Sequence, residues 1–270
     1  MRKFEIPFNH TKSLLDFLEK YRETLIPYIS HLLVAPFVED YHSTRHKEAI
    51  KPLSRSKYEK QIEKLQELGY TPAILINGIE KVKQEFLDYY INKLHCNTFI
   101  VHSDEIAKYI KDNYKNIITI ASITKKLSLK DIQEKDLSMY DYIVLFYTFN
   151  ASLENIKKLP NKYKYILMVN TYCDYTCDFN THWFTDDGSK CPRYKNGEKN
   201  TTCIFSEDLN IFDPYISIYK LQGREYETDM IVREIMYWIF NKEKYKIDGI
   251  IRDRRESLGI EGFYNRYKGE

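Results

Sequence analysis

A chain of 270 residues, 43% apolar and 30% charged, is long enough to bury a full core, as one barrel-sized domain or two smaller ones. Its net charge of +2 does not mark a nucleic-acid binder, and no run is long and apolar enough to span a bilayer; the best, His31 to Val38, is interrupted by Pro36. The start, Met1-Arg-Lys-Phe-Glu-Ile-Pro, lacks the apolar segment of a secretory signal, so the expected location is cytoplasmic, where five cysteines argue against a disulfide framework.

Taken in chain order, short apolar runs alternate with segments of helical period. The expected strands are Phe4 to Phe8, His31 to Phe37, Thr71 to Asn77, Thr98 to His102, Ile117 to Ser122, Tyr142 to Tyr147, Tyr165 to Asn170 and Ile216 to Gln222. Most are near-continuous apolar runs, as parallel strands covered on both faces require. Between them, Leu14, Leu15, Leu18 and Tyr21 share one helix face, as do Ile62, Leu65 and Leu68 in a second helix. Ile106, Tyr109 and Ile110 do so later, and Ile231, Ile235, Trp238 and Ile239 in the last helix. Ser103-Asp-Glu supplies a helix start with acids in its first turn, and Gly69 a helix end. Cys96 stands alone before a strand and reads as a small core residue.

Eight strand–helix units in about 240 residues match the size of a (β/α)8 TIM-type barrel, here residues 1–243, with a charged tail over 244–270. A doubly wound open sheet is the alternative, but no Gly-rich turn follows the first strand. Barrel chemistry sits on the loops after the carboxyl ends of the strands, which makes Asn9, Glu39, Asn77, His102, Asn150, Asn170 and Gly223-Arg224 candidates by position.

The most distinctive stretch, 171–205, follows the seventh strand. It holds Cys173, Cys177, Cys191 and Cys203 among Thr, Asn, Asp, Lys and Gly. A polar segment of roughly thirty residues is longer than usual connections and buries too little apolar surface to order itself. Thiolates gathered on one centre would order it. Two-knuckle zinc spacing is absent, and Asn180 breaks a Cys-x3-Cys-x2-Cys run. Ligands scattered along a loop suit a 4Fe–4S cluster, with zinc the alternative and inert or redox thiols a third. His182, beside Trp183, reads either as a nearby proton donor or extra ligand or as an ordinary half-exposed loop histidine.

Three other features carry weaker signals. Arg224 lies at the habitual anion-binding corner of a barrel, or pairs with Glu225, Glu227 or Asp229. The loop from Val38 to Lys47, with His42 and His46 four apart, reads as a solvated loop, a substrate lid or a metal pair. Arg252, Arg254 and Arg255 in the tail read as a solvated helix or a basic contact for a partner. No G-x-S-x-G, H-E-x-x-H or P-loop supports a standard hydrolase or nucleotide-driven enzyme.

Val169-Asn-Thr-Tyr-Cys-Asp-Tyr-Thr-Cys177 resembles the "V-N-x-x-C-x-x-x-C" signature of the collagenase-like peptidase family. That family also contains the prephenate-dependent tRNA, rRNA and ubiquinone hydroxylation proteins. Cys203-Ile-Phe-Ser-Glu-Asp-Leu209 is similar to its "C-x-x-I-R-P-E-D-L", although Phe205-Ser206 stands where the family has Arg-Pro. Tyr219-Lys-Leu-Gln-Gly-Arg224 resembles its "F-K-I-x-G-R". The resemblance implies a barrel with a four-cysteine iron–sulfur centre on Cys173, Cys177, Cys191 and Cys203. It also implies oxygen-independent hydroxylation or a related redox modification of a small anionic, prephenate-like molecule. Substrate-binding candidates are then Arg224, Asn170, Asn77 and His182. The alternatives are a non-catalytic cluster- or zinc-stabilised subunit with a heteromeric protein partner, and a collagenase-like peptidase. RNA is a partner that the resemblance allows and the net charge does not indicate.

Overall fold

The computed structural model describes residues 1–37, 53–76, 83–171, 202–223 and 227–241. Eight parallel strands close on themselves in sequence order. They are β1 (Phe4–Pro7), β2 (Ile29–Val34), β3 (Pro72–Ile76), β4 (Thr98–Val101), β5 (Ile118–Ala121), β6 (Tyr142–Val144), β7 (Lys164–Met168) and β8 (Ile218–Lys220). Every expected strand is present, and the fold is the (β/α)8 barrel. The observed strands end one to three residues earlier at their carboxyl ends, although residues such as Phe8, Ser122 and Val169 there still donate to the neighbouring strand.

Helices follow each strand: α1 (Lys12–Lys20), α2 (Arg55–Glu67), α3 (Gln84–Asp88), α4 (Asp104–Asn113), α5 (Leu129–Glu134), α6 (Leu153–Lys157), α7 (Leu209–Phe212) and α8 (Thr228–Glu234). Their starts are set by short polar side chains that take an orphan backbone N–H: Thr11 from Leu14, Ser103 from Ile106, and Ser128 from Asp131 in a reciprocal capping box. After α2, Gly69 adopts φ +84°, and a Cβ there would stand 3.0 Å from Ile26 Cδ1, so only glycine ends the helix at this point.

Two apolar clusters follow from strand alternation. Residues of one parity in each strand, such as Ile6, Leu32, Ile74, Val101, Ile143, Leu167 and Leu221, pack outward under the helices with Leu14, Ile62, Ile106 and Trp238. The other parity fills the lumen with Leu33, Ala73, Leu75, Ile100, Ile120, Val144, Ile166, Met168 and Ile218. Two helix-face expectations are corrected. Tyr21 and Tyr109 are 43% and 38% exposed. Tyr21 caps the end of α1, where its face turns to solvent, and in α4 the small Ala107 packs inward instead. Cys96 is buried, and burial pushes its thiol up to about 12, as an inert core residue requires. Among the described residues, no helix is long and apolar enough to cross a membrane.

Candidate functional site

The lumen-facing parity, continued past the strand ends, brings Asn9, His102, Ser122, Asn170 and Gln222 to the mouth of the barrel. Asn9 accepts from Thr11 N and Thr11 Oγ1 and donates to Thr228, tying β1 to α8. Asn170 is a brace: its Nδ2 donates to Gln222 O and to Glu234 Oε2, while its Oδ1 accepts from Gln222 N at 2.8 Å. Its carboxamide thus locks the end of β7 to β8 and α8. Asn77, Arg224 and His182 lie outside the described residues, as do Glu39, His42 and His46.

Beyond β7 the chain leaves and returns through a neck. Ile204 N donates to Val169 O at 2.8 Å, and Thr202 Oγ1 donates to Thr171 O at 3.0 Å. The outgoing residues 169–171 therefore run antiparallel to the returning residues 202–204. Asn150 clamps both legs, donating to Met168 O and Thr202 O at 2.7 Å each. Trp238 Nε1 donates to Ile204 O, and Ser206 Oγ to Trp238 O, fastening the return leg to the last helix. Thr171, Thr202, Asn150 and Asn170 are all fully buried. Burying so many polar groups is tolerated because nearly all are bonded. A long insert is thus anchored at one fixed point of the mouth.

Cys203 sits on the return leg, buried within the outer apolar cluster. Cys173, Cys177 and Cys191 lie outside the described residues, and among the described residues no three His, Cys, Asp or Glu side chains group as a metal site. Two features nevertheless fit a sulfur-ligated centre. In sequence, Cys173 lies two residues after Thr171 and Cys203 one residue after Thr202, the two residues that a hydrogen bond joins across the neck. The Thr171 hydroxyl is also buried without a hydrogen-bond partner among the described residues, and a thiolate-bound cluster presents sulfur acceptors for such a donor. Four thiols are a donor type that both a 4Fe–4S cluster and zinc take.

A second polar group escaped the sequence reading. Inside the lumen, Glu5 is completely buried, with Oε1 3.1 Å from His31 Nδ1 and Oε2 accepting from Lys220 Nζ at 2.8 Å. These residues are register neighbours on β2, β1 and β8. Burial alone would raise the Glu5 carboxyl, but the Lys220 ammonium and His31 hold it down at about 2. The available signal was a charge at lumen parity within an apolar strand, as in Phe4-Glu-Ile6 and Tyr219-Lys-Leu221.

The opposite side of the mouth carries His102 after β4. Its Nδ1 lies 2.9 Å from Thr124 Oγ1, and Thr124 Oγ1 donates to Ser122 Oγ at 2.9 Å. Lys125 Nζ donates to the His102 carbonyl and pairs with Asp104, each at 2.8 Å. Burial, then the Lys125 charge, lower the His102 imidazole below its ordinary value, with Asp104 opposing.

No family profile matches the chain, and no curated protein matches it by sequence. Among solved structures, the U32 peptidase Mk0906 superposes with a TM-score of 0.56 at 11% identity, over 82% of this chain and 93% of that one. The likeness is one of fold: this chain shares the barrel of that solved structure.

Proposed function

We propose that this protein is a barrel whose segment 171–205 carries a 4Fe–4S cluster on Cys173, Cys177, Cys191 and Cys203, and that it takes part in oxygen-independent hydroxylation or a related redox modification of a small anionic substrate. The observation that carries the reading is the buried neck, which places both ends of the cysteine segment over the face where barrel chemistry occurs. Bound there, a cluster with four cysteine ligands would supply one-electron redox chemistry. The chain's own residues do the rest. Asn150, Asn170 and Trp238 tie the two legs of the neck to the barrel and to the last helix, the support that ligands on this segment would need. Arg224, directly after Gly223 at the end of β8, would hold the substrate anion.

Anaerobic purification with absorption spectroscopy and iron, sulfide and zinc analysis tests the reading. A brown protein that loses colour in Cys203→Ala supports it, and a colourless, iron-free, folded protein overturns it. Arg224→Ala should weaken binding of prephenate, used as the anionic probe, with the cluster retained.

A peptidase reading draws on the name of the solved neighbour. The pair His102–Thr124 offers it little, because Thr124 donates its proton to Ser122 rather than to the imidazole. Release of new amino termini from gelatin by the purified protein would establish it.

A further inference from the structure

We propose that His102 is a proton-transfer residue of the barrel mouth, whose Nε2 takes a proton from, and returns it to, a small molecule bound there. The inference rests on the mouth as the place of reaction, not on the cluster, and holds for either enzymatic reading.

The argument begins with the backbone. Ile100 fills the lumen, so His102, two residues on, continues the lumen-facing row one residue past β4, on the face where barrel loops gather reactive groups. The imidazole is half-buried there. Its tautomer follows from the chain of donors beside it. Ser122 Oγ caps the turn after β5 by accepting from Thr124 N at 3.2 Å, and accepts again from Thr124 Oγ1. Thr124, having spent its proton on Ser122, meets the ring as an acceptor. The ring proton therefore sits on Nδ1, and Nε2 carries the lone pair. No described residue bonds to Nε2.

The surroundings also set the charge. Lys125 is nearly buried, is fixed on the His102 carbonyl and on Asp104, and stands over the Tyr140 ring, which itself donates to Asp104. A fixed ammonium beside a half-buried ring favours the neutral imidazole at neutral pH. This arrangement supplies a base that is already deprotonated, correctly oriented and open at one nitrogen. In the step itself the Nε2 lone pair takes a substrate O–H or N–H proton, the bonding pair stays on the substrate, and the imidazolium formed next to Lys125 readily gives the proton back. The fitting ligand class is a small acid with an exchangeable proton beside the atom being modified.

The test uses the full chain without added metal, so it succeeds or fails independently of the cluster. Nitrogen-15 NMR of the seven histidines, assigned with His102→Gln, reads the tautomer and titration of each ring. His102 should show Nδ1–H with a midpoint below the ordinary histidine value, and diethyl pyrocarbonate should acylate it ahead of the other rings at pH 6. Thr124→Ser should preserve this signature, and Thr124→Val should mix the tautomers and slow acylation severalfold. An Nε2–H ring, a raised midpoint, or a ring unreactive in the folded wild type overturns the proposal.

Discussion

Around the lumen, β3 to β7 contribute Ala73, Leu75, Ile100, Ile120, Val144, Ile166 and Met168, whereas β8, β1 and β2 add the charged or titratable Lys220, Glu5 and His31 to Ile218 and Leu33. The mouth is polar on both sides. Its β7–β8–β1 side carries the bonded set Asn170, Gln222 and Glu234 and the separate Asn9–Thr228 tie to the same helix, and its β4–β5 side carries the His102–Thr124–Ser122 corner. The apolar half is held by packing, which is non-directional and tolerant. The polar half coincides with the seam where the first strand meets the last, a junction with register pairs only at Phe4–Tyr219 and Glu5–Lys220. The buried Glu5–Lys220 ion pair crosses that junction. The same side supports the neck of the cysteine segment, so closure and candidate chemistry share one frame.

The contrast breaks most sharply at Lys220. Lys220→Met leaves a carboxylate buried without its counter-charge and should cost about 3–5 kcal/mol in urea unfolding, most of it recovered in Glu5→Leu/Lys220→Met. A mild single mutant would show that the seam does not depend on the pair. The same pair gives the pH dependence its sign. The Glu5 carboxyl is depressed from 4.5 to about 2, so its contribution is full above the unfolded value and is lost as pH falls through about 2. Acid unfolding of Glu5→Gln should lack that limb.

In the apolar half, Ile120→Ala removes a fully buried lumen side chain and should cost about 2–4 kcal/mol with no change in acid sensitivity. Asn150→Ala deprives two buried carbonyls of their donor and should cost about 2 kcal/mol, with faster hydrogen exchange at the Ile204 amide than at β4 amides. The smallest effect belongs to Arg2→Ala. Its bidentate pair with Asp213 also lies at the seam but is about one-third exposed, so less than about 1 kcal/mol should be lost.

The eight strands were legible because lumen and helix-facing residues are both apolar, which leaves near-continuous runs such as Ala73-Ile-Leu-Ile76. Strand ends were read long because Phe8, His102 and Asn170 keep the alternating pattern past the strand ends, and Phe8 and His102 still donate to the neighbouring strand. The mouth candidates Asn9, Asn150 and Asn170 were found by position, but their roles as clamps depend on partners distant in sequence, such as Thr228, Thr202 and Glu234. The Glu5–Lys220 pair spans nearly the whole chain, and no local pattern announces a bond closed by the ring itself. The Thr124 tether of His102 depends on the turn after β5, which only the fold brings beside β4.

The neck and its cysteines make one claim open to direct measurement: X-ray absorption at the iron edge of anaerobically prepared protein. The account predicts iron with an all-sulfur first shell that disappears in Cys203→Ala while the barrel stays folded. Absence of iron from the folded wild type, or oxygen and nitrogen ligation unaffected by that substitution, would contradict it.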